Sequence, residues 1–170
     1  MSAKPVVRRL LASDAEAYFR LRREALETEP FAFSSSPAED RALDPEFVRT
    51  SLGDPNQALF GAFSPELVGV TGVYRERGAK SAHKARLWGL YVRASHRRRG
   101  LGEQLVQAAI AFARSLEGVT HLHLSVTDRG KEAAALYEKL GFVTWGIEPA
   151  ALRIGGAEAA ERHMVLKLRT

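Results

Sequence analysis

The sequence predicts an α/β fold in which a mixed sheet carries helices on both faces. Three observations support this. A helix-period stretch opens the chain. Two strand-like runs then flank a tight turn at hairpin spacing, and strand, helix, strand, helix and strand alternate from residue 85 to the end. A strand–helix–strand unit requires parallel strands and a right-handed crossover, whereas the hairpin before it must be antiparallel, so one sheet holding both is mixed. A length of 170 residues suits one domain, and no repeat, linker or compositional break divides residues 1–170.

Ser13 and Glu16 have the spacing of a capping box, and Tyr18, Leu21, Ala25 and Leu26 recur at helical spacing, predicting a helix over 14–28 that ends before Pro30. Ser34 to Pro37 reads as a loop. Asp44-Pro45 reads as an N-cap with proline at the first helical position, opening a short helix to Leu52 that Gly53 stops. Residues 58–63 and 67–77 are the hairpin strands around Ser64-Pro65-Glu66. Residues 78–84 are polar and predict a loop. Residues 85–92 are apolar on both alternating faces, as a central strand requires. Leu101, Leu105, Ala108, Phe112 and Leu116 share one face of a helix over 100–117, closed by Gly118. Strand 119–126, helix 131–140 and strands 142–147 and 163–168 complete the order, with Gly155-Gly156 in the turn between the last two.

Composition excludes several classes. Apolar residues at 45% and charged residues at 26% exclude disorder and fibres. The longest apolar run, Leu105 to Ala113, is too short to span a membrane and carries Gln107. Met1 to Leu10 lacks the apolar stretch of a signal peptide. With no cysteine there is no disulfide, thiolate nucleophile or Cys-based metal site, which fits a reducing compartment such as the cytoplasm. The net charge of +5 favours an anionic partner. No His and carboxylate spacing suits a metal, and His121 and His123, alternating with Leu122 and Leu124, read as strand surface.

The densest positive cluster, Arg97, Arg98 and Arg99, lies between the central strand and the long helix, directly before Gly100-Leu101-Gly102-Glu103. A helix start has unpaired N–H groups and about half a positive charge from the macrodipole, and glycines let an anion reach the backbone. The segment matches neither the Walker A nor the dinucleotide template, which need Gly-Lys-Ser/Thr or a third glycine. Taken alone it is a phosphate site or a solvated glycine turn.

The pattern Arg97-x-x-Gly100-x-Gly102 after an apolar strand, then Leu124-x-Val126, then Ala133-x-x-Leu136-Tyr137-x-x-x-Gly141-Phe142, resembles the GNAT superfamily of N-acetyltransferases. The strongest match covers residues 85–147, and the flanking elements follow the family's order. The resemblance implies a mostly antiparallel twisted sheet with a central parallel pair and acetyl-CoA as co-substrate between those two strands. It implies that the turn from Arg97 to Glu103 grips the pyrophosphate and that the main chain of Leu90, Tyr91 and Val92 meets the pantetheine. An N–H there would also polarise the thioester carbonyl, a donor typically worth about 2.7–4 kcal/mol in acyl transfer. It further implies that Tyr137 protonates the departing thiolate, with no metal involved. The other reading of Tyr137 is a core aromatic beside Ala133, Leu136 and Leu140.

The expected reaction moves an acetyl group directly to a primary amine, small or on a peptide or protein, with no covalent enzyme intermediate. Glu76 is the preferred general base, with His83 and Glu29 as the other candidates. Loops 31–37, 78–84 and 149–156 are candidate acceptor contacts. Two positions depart from the family pattern: Gly130 stands where relatives often have Asn, a gap that Asp128 or Arg129 could fill, and Ala94 where Pro is usual. An alternative function is a silent acetyl-CoA sensor or interaction module. Nucleic-acid binding is disfavoured because the arginines concentrate at one turn and few aromatics could stack bases. A homodimer is compatible with the sequence without being required by it.

Overall fold

A computed structural model describes residues 4–169. In chain order the elements are β1 (Val6–Arg9), α1 (Ala15–Thr28), α2 (Pro45–Leu52), β2 (Gln57–Phe63), β3 (Leu67–Arg75), β4 (Lys84–Val92), α3 (Leu101–Ser115), β5 (His121–Thr127), α4 (Lys131–Lys139), β6 (Val143–Ile154) and β7 (Ala157–Lys167). The strands form one seven-stranded sheet in the order β1-β2-β3-β4-β5-β7-β6. Only β4 and β5 pair in parallel.

Apolar side chains on both faces of β2 to β5 require two covering layers. Against one face α3 buries Leu105, Val106, Ala109 and Ala113, and this core extends to Leu122, Leu124, Tyr137 and Met164. Burying such a leucine or valine completely is worth roughly 1.5–3 kcal/mol. Against the other face α1 buries Tyr18, Leu21 and Ala25, joined by Val48 of α2 and Tyr91 of β4. The buried pair of Arg22 and Asp40, at 2.6 Å, ties α1 to the segment before α2, where Asp40 also accepts from the Ala42 N–H.

One irregularity positions the site. Gly72 of β3 pairs with Trp88 and Val70 with Tyr91, so Gly89 and Leu90 of β4 together oppose Thr71 alone. This is a β-bulge, and Gly89 sits at φ +65, where other residues are strained. Thr71 Oγ1 donates to the Trp88 carbonyl at 3.1 Å, and Trp88 fills the space above Gly72. The pairing of β4 with β5 runs only from Lys84↔His121 to Arg86↔His123. Beyond it the two strands separate, and the bulged part of β4 faces an opening.

The structure corrects several expected boundaries. β1 was not expected; part of the Met1–Leu10 stretch forms this edge strand, with Met1 to Ala3 outside the described residues. The Ser13 capping box does not form. Asp14 instead accepts from the Leu11 N–H at 2.8 Å and from Arg8 at 2.7 Å, shaping a 3-10 turn before α1. The last two strands are far longer than expected. β6 passes through Pro149 by way of a register shift between Glu148 and Leu152, with Ala150 at φ 50.

Candidate active site

β4 ends at Val92 and a 3-10 turn follows over Ala94–His96. The chain then reverses through positive φ at Arg98 (61) and Gly100 (76) and enters α3. Gly100 occupies the N-cap position and has no side chain to satisfy the helix start. Among the described residues no acceptor meets the main-chain N–H of residues 98–103, and pairing resumes with Gln104 N–H to the Gly100 carbonyl at 3.1 Å. Of these residues Arg98 and Gly100 to Glu103 border a cleft of about 600 Å³ between the turn, the end of β4 and the residues Gly130 to Leu136.

The main chain of β4 meets this cleft selectively. Arg93 N–H bonds to the Val68 carbonyl, so by antiparallel alternation Tyr91 pairs with Val70 while Val92 turns away from β3. The Val92 carbonyl accordingly accepts from Arg97. Leu90, Tyr91 and Val92 all line the cleft, where the Val92 N–H faces away from β3 while its carbonyl is taken by Arg97. The Tyr91 backbone pairs with Val70 within the sheet, and its phenol donates to Glu24 at 3.0 Å on the α1 side.

The three arginines, expected as joint phosphate partners, have different roles. Arg97 Nε donates to the Val92 carbonyl at 2.7 Å and its Nη2 to Glu29 at 3.0 Å, bracing the turn against the end of α1. Arg98 borders the cleft, and Arg99 is not among its lining residues. Glu103 pairs with Lys139 at 2.6 Å, joining α3 to α4.

The cleft continues into a cavity of about 140 Å³ in the gap between β4 and β5; Glu29, Ala32, Leu90, Arg129, Gly130 and Ala133 line both. Trp88, Phe31 and Ser125 border the cavity from the α1 face and Tyr137 and Ala133 from α4, so the gap opens through the sheet. Arg129 stacks over Phe31 at 4.0 Å and closes one side. Tyr137 packs edge-on against Phe142 at 5.7 Å. Its phenol has no protein hydrogen-bond partner among the described residues, yet is not a sealed unsatisfied group, because it opens onto this cavity. Burial raises its pKa, which keeps the phenol protonated at neutral pH. The Tyr137 ring is core and its oxygen is free.

Glu76 lies elsewhere. It follows β3 at the Lys84 end of β4, pairing with Arg86 at 2.8 Å and Lys84 at 3.3 Å. Burial opposes its ionisation, but hydrogen bonds from Arg86, Ser81 and Lys84 outweigh this and hold the carboxyl below its usual range. Glu76 stands across from Lys84, about 10 Å along the strand from Leu87, the first β4 residue to line the cavity, and is not itself among the lining residues. Loop 78–84 lies at the same remote end, as does His83, whose ring stands edge-on to His121 at 6.2 Å. Of the base candidates only Glu29 borders the cavity, where Arg97 holds it. Gly130 fits its place by necessity, since a Cβ there would meet Val126 Cγ2 at 2.9 Å. His123, half-buried, has its pKa lowered by burial and then by Arg86 and Lys84.

One grouping could not be seen in the sequence. The order β5-β7-β6 brings Ser125, His163 and Glu148 into line and sets ligand atoms of Glu148, Glu161 and His163 within 4.8 Å of one another. No local spacing signals it, because these residues meet only through strand pairing.

The fold and the open amides can be set beside known proteins. The acetyltransferase (GNAT) family profile matches residues 18–142. An acetyltransferase of the GNAT family from Streptococcus pneumoniae is similar at 23% identity and a TM-score of 0.84, over 96% of this chain and 99% of that one. YncA from Salmonella typhimurium, whose structure holds its cofactor acetyl-CoA, is similar at 18% identity and a TM-score of 0.84, over 99% and 96%. A ribosomal-protein-alanine N-acetyltransferase from Brucella melitensis is similar at 20% identity and a TM-score of 0.80, over 95% and 99%. No curated protein matches the sequence. At these identities the solved structures establish the architecture, and the family profile, which spans most of the chain including the turn of unpaired amides, establishes descent: the chain belongs to the GNAT acetyltransferase family.

Proposed function

We propose that this protein is an acetyl-CoA-dependent N-acetyltransferase whose acceptor is a primary amine. The observation that carries the proposal is the run of unpaired amides at 98–103, opening onto a cleft that leads past Leu90 to a free phenol. Those amides and the side chain of Arg98 would hold the diphosphate, and the main chain of Leu90 and the Val92 N–H would take the pantetheine amides. The YncA structure, with its bound acetyl-CoA, supports this choice of donor.

The gap between β4 and β5 lets donor and acceptor enter from opposite faces. The protein then supplies position more than reactivity, holding amine and thioester within attack distance. A main-chain N–H of bulged β4 would stabilise the oxyanion as the amine adds. Tyr137 would give its proton to the departing thiolate, a role for which its raised pKa keeps it charged with hydrogen. With Glu76 remote, base catalysis falls to groups around the cavity.

The experiment is an amine-panel screen with acetyl-CoA, following thiol release and identifying the product by mass spectrometry. Acetyl-CoA-dependent N-acetylation of at least one amine is expected. Acetyl-CoA binding without turnover of any amine would leave the sensor reading in its place.

A further inference from the structure

A row of polar side chains meets the cavity on the α1 face of the sheet. Alternation along β5 puts Leu122 and Leu124 into the α3 and α4 core and Ser125 on the opposite face, bordering the same cavity as Tyr137. Ser125 pairs directly with His163 of β7, and its Oγ lies 2.9 Å from His163 Nδ1. His163 Nε2 lies 3.1 Å from Glu148 Oε2 on β6, and the Trp145 ring stacks on the imidazole at 5.4 Å and 29°. The histidine is held from three sides.

These contacts determine the direction of the chain. In the neutral imidazole, a carboxylate on Nε2 places the ring proton there and leaves Nδ1 as the acceptor. In that tautomer Ser125 donates to Nδ1, and Ser125 itself borders the cavity. The charged groups facing His163 are Glu148 of β6 and Glu161 of its own strand; β5 contributes only the neutral Ser125. Neighbouring Arg162 turns to the other face and meets Glu138 of α4 at 3.0 Å. Glu161 has no ion-pair partner among the described residues, and burial, with Glu148 beside it, raises its pKa.

We propose that Ser125, His163 and Glu148 form the proton relay for the acceptor amine, with Ser125 Oγ as the atom that takes the proton and His163 as the base. As the amine nitrogen bonds to the thioester carbonyl, its proton passes to Ser125 Oγ while the hydroxyl proton moves to Nδ1. His163 becomes an imidazolium paired with Glu148. The carbon–sulfur bond breaks, the thiolate takes the Tyr137 proton, the imidazolium releases its proton to solvent and the phenolate recovers one. Glu148 is a positioning residue, since it sets the tautomer and does not touch the reacting atoms.

The inference rests on the acetyltransfer reading, and its test separates the two. The full chain is assayed with the best amine of the panel across pH 6–9.5, with acetyl-CoA affinity measured by calorimetry for every variant. Expected are a loss of kcat of at least about tenfold in His163→Ala at pH 7 with affinity unchanged, partial restoration by added imidazole, and a deficit that shrinks as pH rises. Ser125→Ala, which removes one surface hydroxyl, should show a smaller deficit of the same pH shape, and Glu148→Gln should shift the acidic limb of the profile. An active protein whose His163→Ala and Ser125→Ala variants retain the parent rate and pH profile overturns the relay and leaves the acetyltransferase standing. A parent protein that turns over no amine overturns both.

Discussion

Arg97 Nη2 lies 3.0 Å from Glu29 Oε1, so the first arginine of the basic cluster ties the β4–α3 turn to the end of α1. Its Nε is spent as well, on the Val92 carbonyl. The cluster therefore divides into a brace, a side chain at the cleft and a residue outside the lining.

From that division, Arg97→Ala should raise the KM for acetyl-CoA on the order of tenfold, because a charged donor to two acceptors is typically worth about 1.5–3 kcal/mol per bond. Arg99→Ala should change it less than about threefold, an effect that fades at high salt. Steady-state kinetics at two ionic strengths check this; equal effects at Arg97 and Arg99 would contradict the brace.

Tyr137→Phe removes only the oxygen that faces the cavity and keeps the ring against Phe142. A fall in kcat on the order of 10²-fold is expected, with acetyl-CoA affinity and melting temperature close to the parent. Because burial raises the phenol pKa, the basic limb of the parent kcat profile should lie above the free tyrosine value of about 10. An unchanged kcat would remove Tyr137 from the chemistry.

Gly100 stands at φ 76, a conformation that side-chain-bearing residues adopt at a cost of roughly 1–2 kcal/mol. Gly100→Val should lower the melting temperature by a few degrees, at about 2–4 °C per kcal/mol, and weaken acetyl-CoA binding at least tenfold, about 1.4 kcal/mol or more. Calorimetry reads both; parental affinity would show that the turn does not hold the donor.

Glu76→Gln should leave kcat/KM within about twofold of the parent and cost at most about 1 kcal/mol of stability, the scale of a partly exposed ion pair. A large loss of kcat with unchanged stability would return Glu76 to the role of base.

Acid should weaken the fold through carboxylates held below their usual pKa. Glu24, bonded chiefly by Arg93 and also by Tyr91, and Asp14, bonded by Arg8, are both lowered. Their contribution is complete above the unfolded values of about 4 and drains as pH falls through the lower native ones. Urea midpoints measured from pH 6 down to pH 2 should therefore fall, and less steeply in Glu24→Gln.

The legible parts of the molecule were those decided locally. Helical spacing in α1 and α3, Asp44-Pro45 before α2 and the glycines around the β4–α3 turn act within a few residues, and the structure keeps them. β1 was hidden because a short edge strand ending in Arg8-Arg9 has no apolar alternation. The second half of β6 was hidden because its side chains are largely exposed and Pro149 sits within it. Glu76 could not be read because its partners Lys84 and Arg86 arrive across a strand pair. Ser125, His163 and Glu148 come together only through non-local pairing.

The central claim is that bare main-chain amides at 98–103 hold the donor's diphosphate. A crystal structure with acetyl-CoA tests it most directly. The account predicts diphosphate oxygens within hydrogen-bond distance of those N–H groups and the thioester beside Tyr137. A diphosphate bound elsewhere, with the same amides still unpaired, would contradict it.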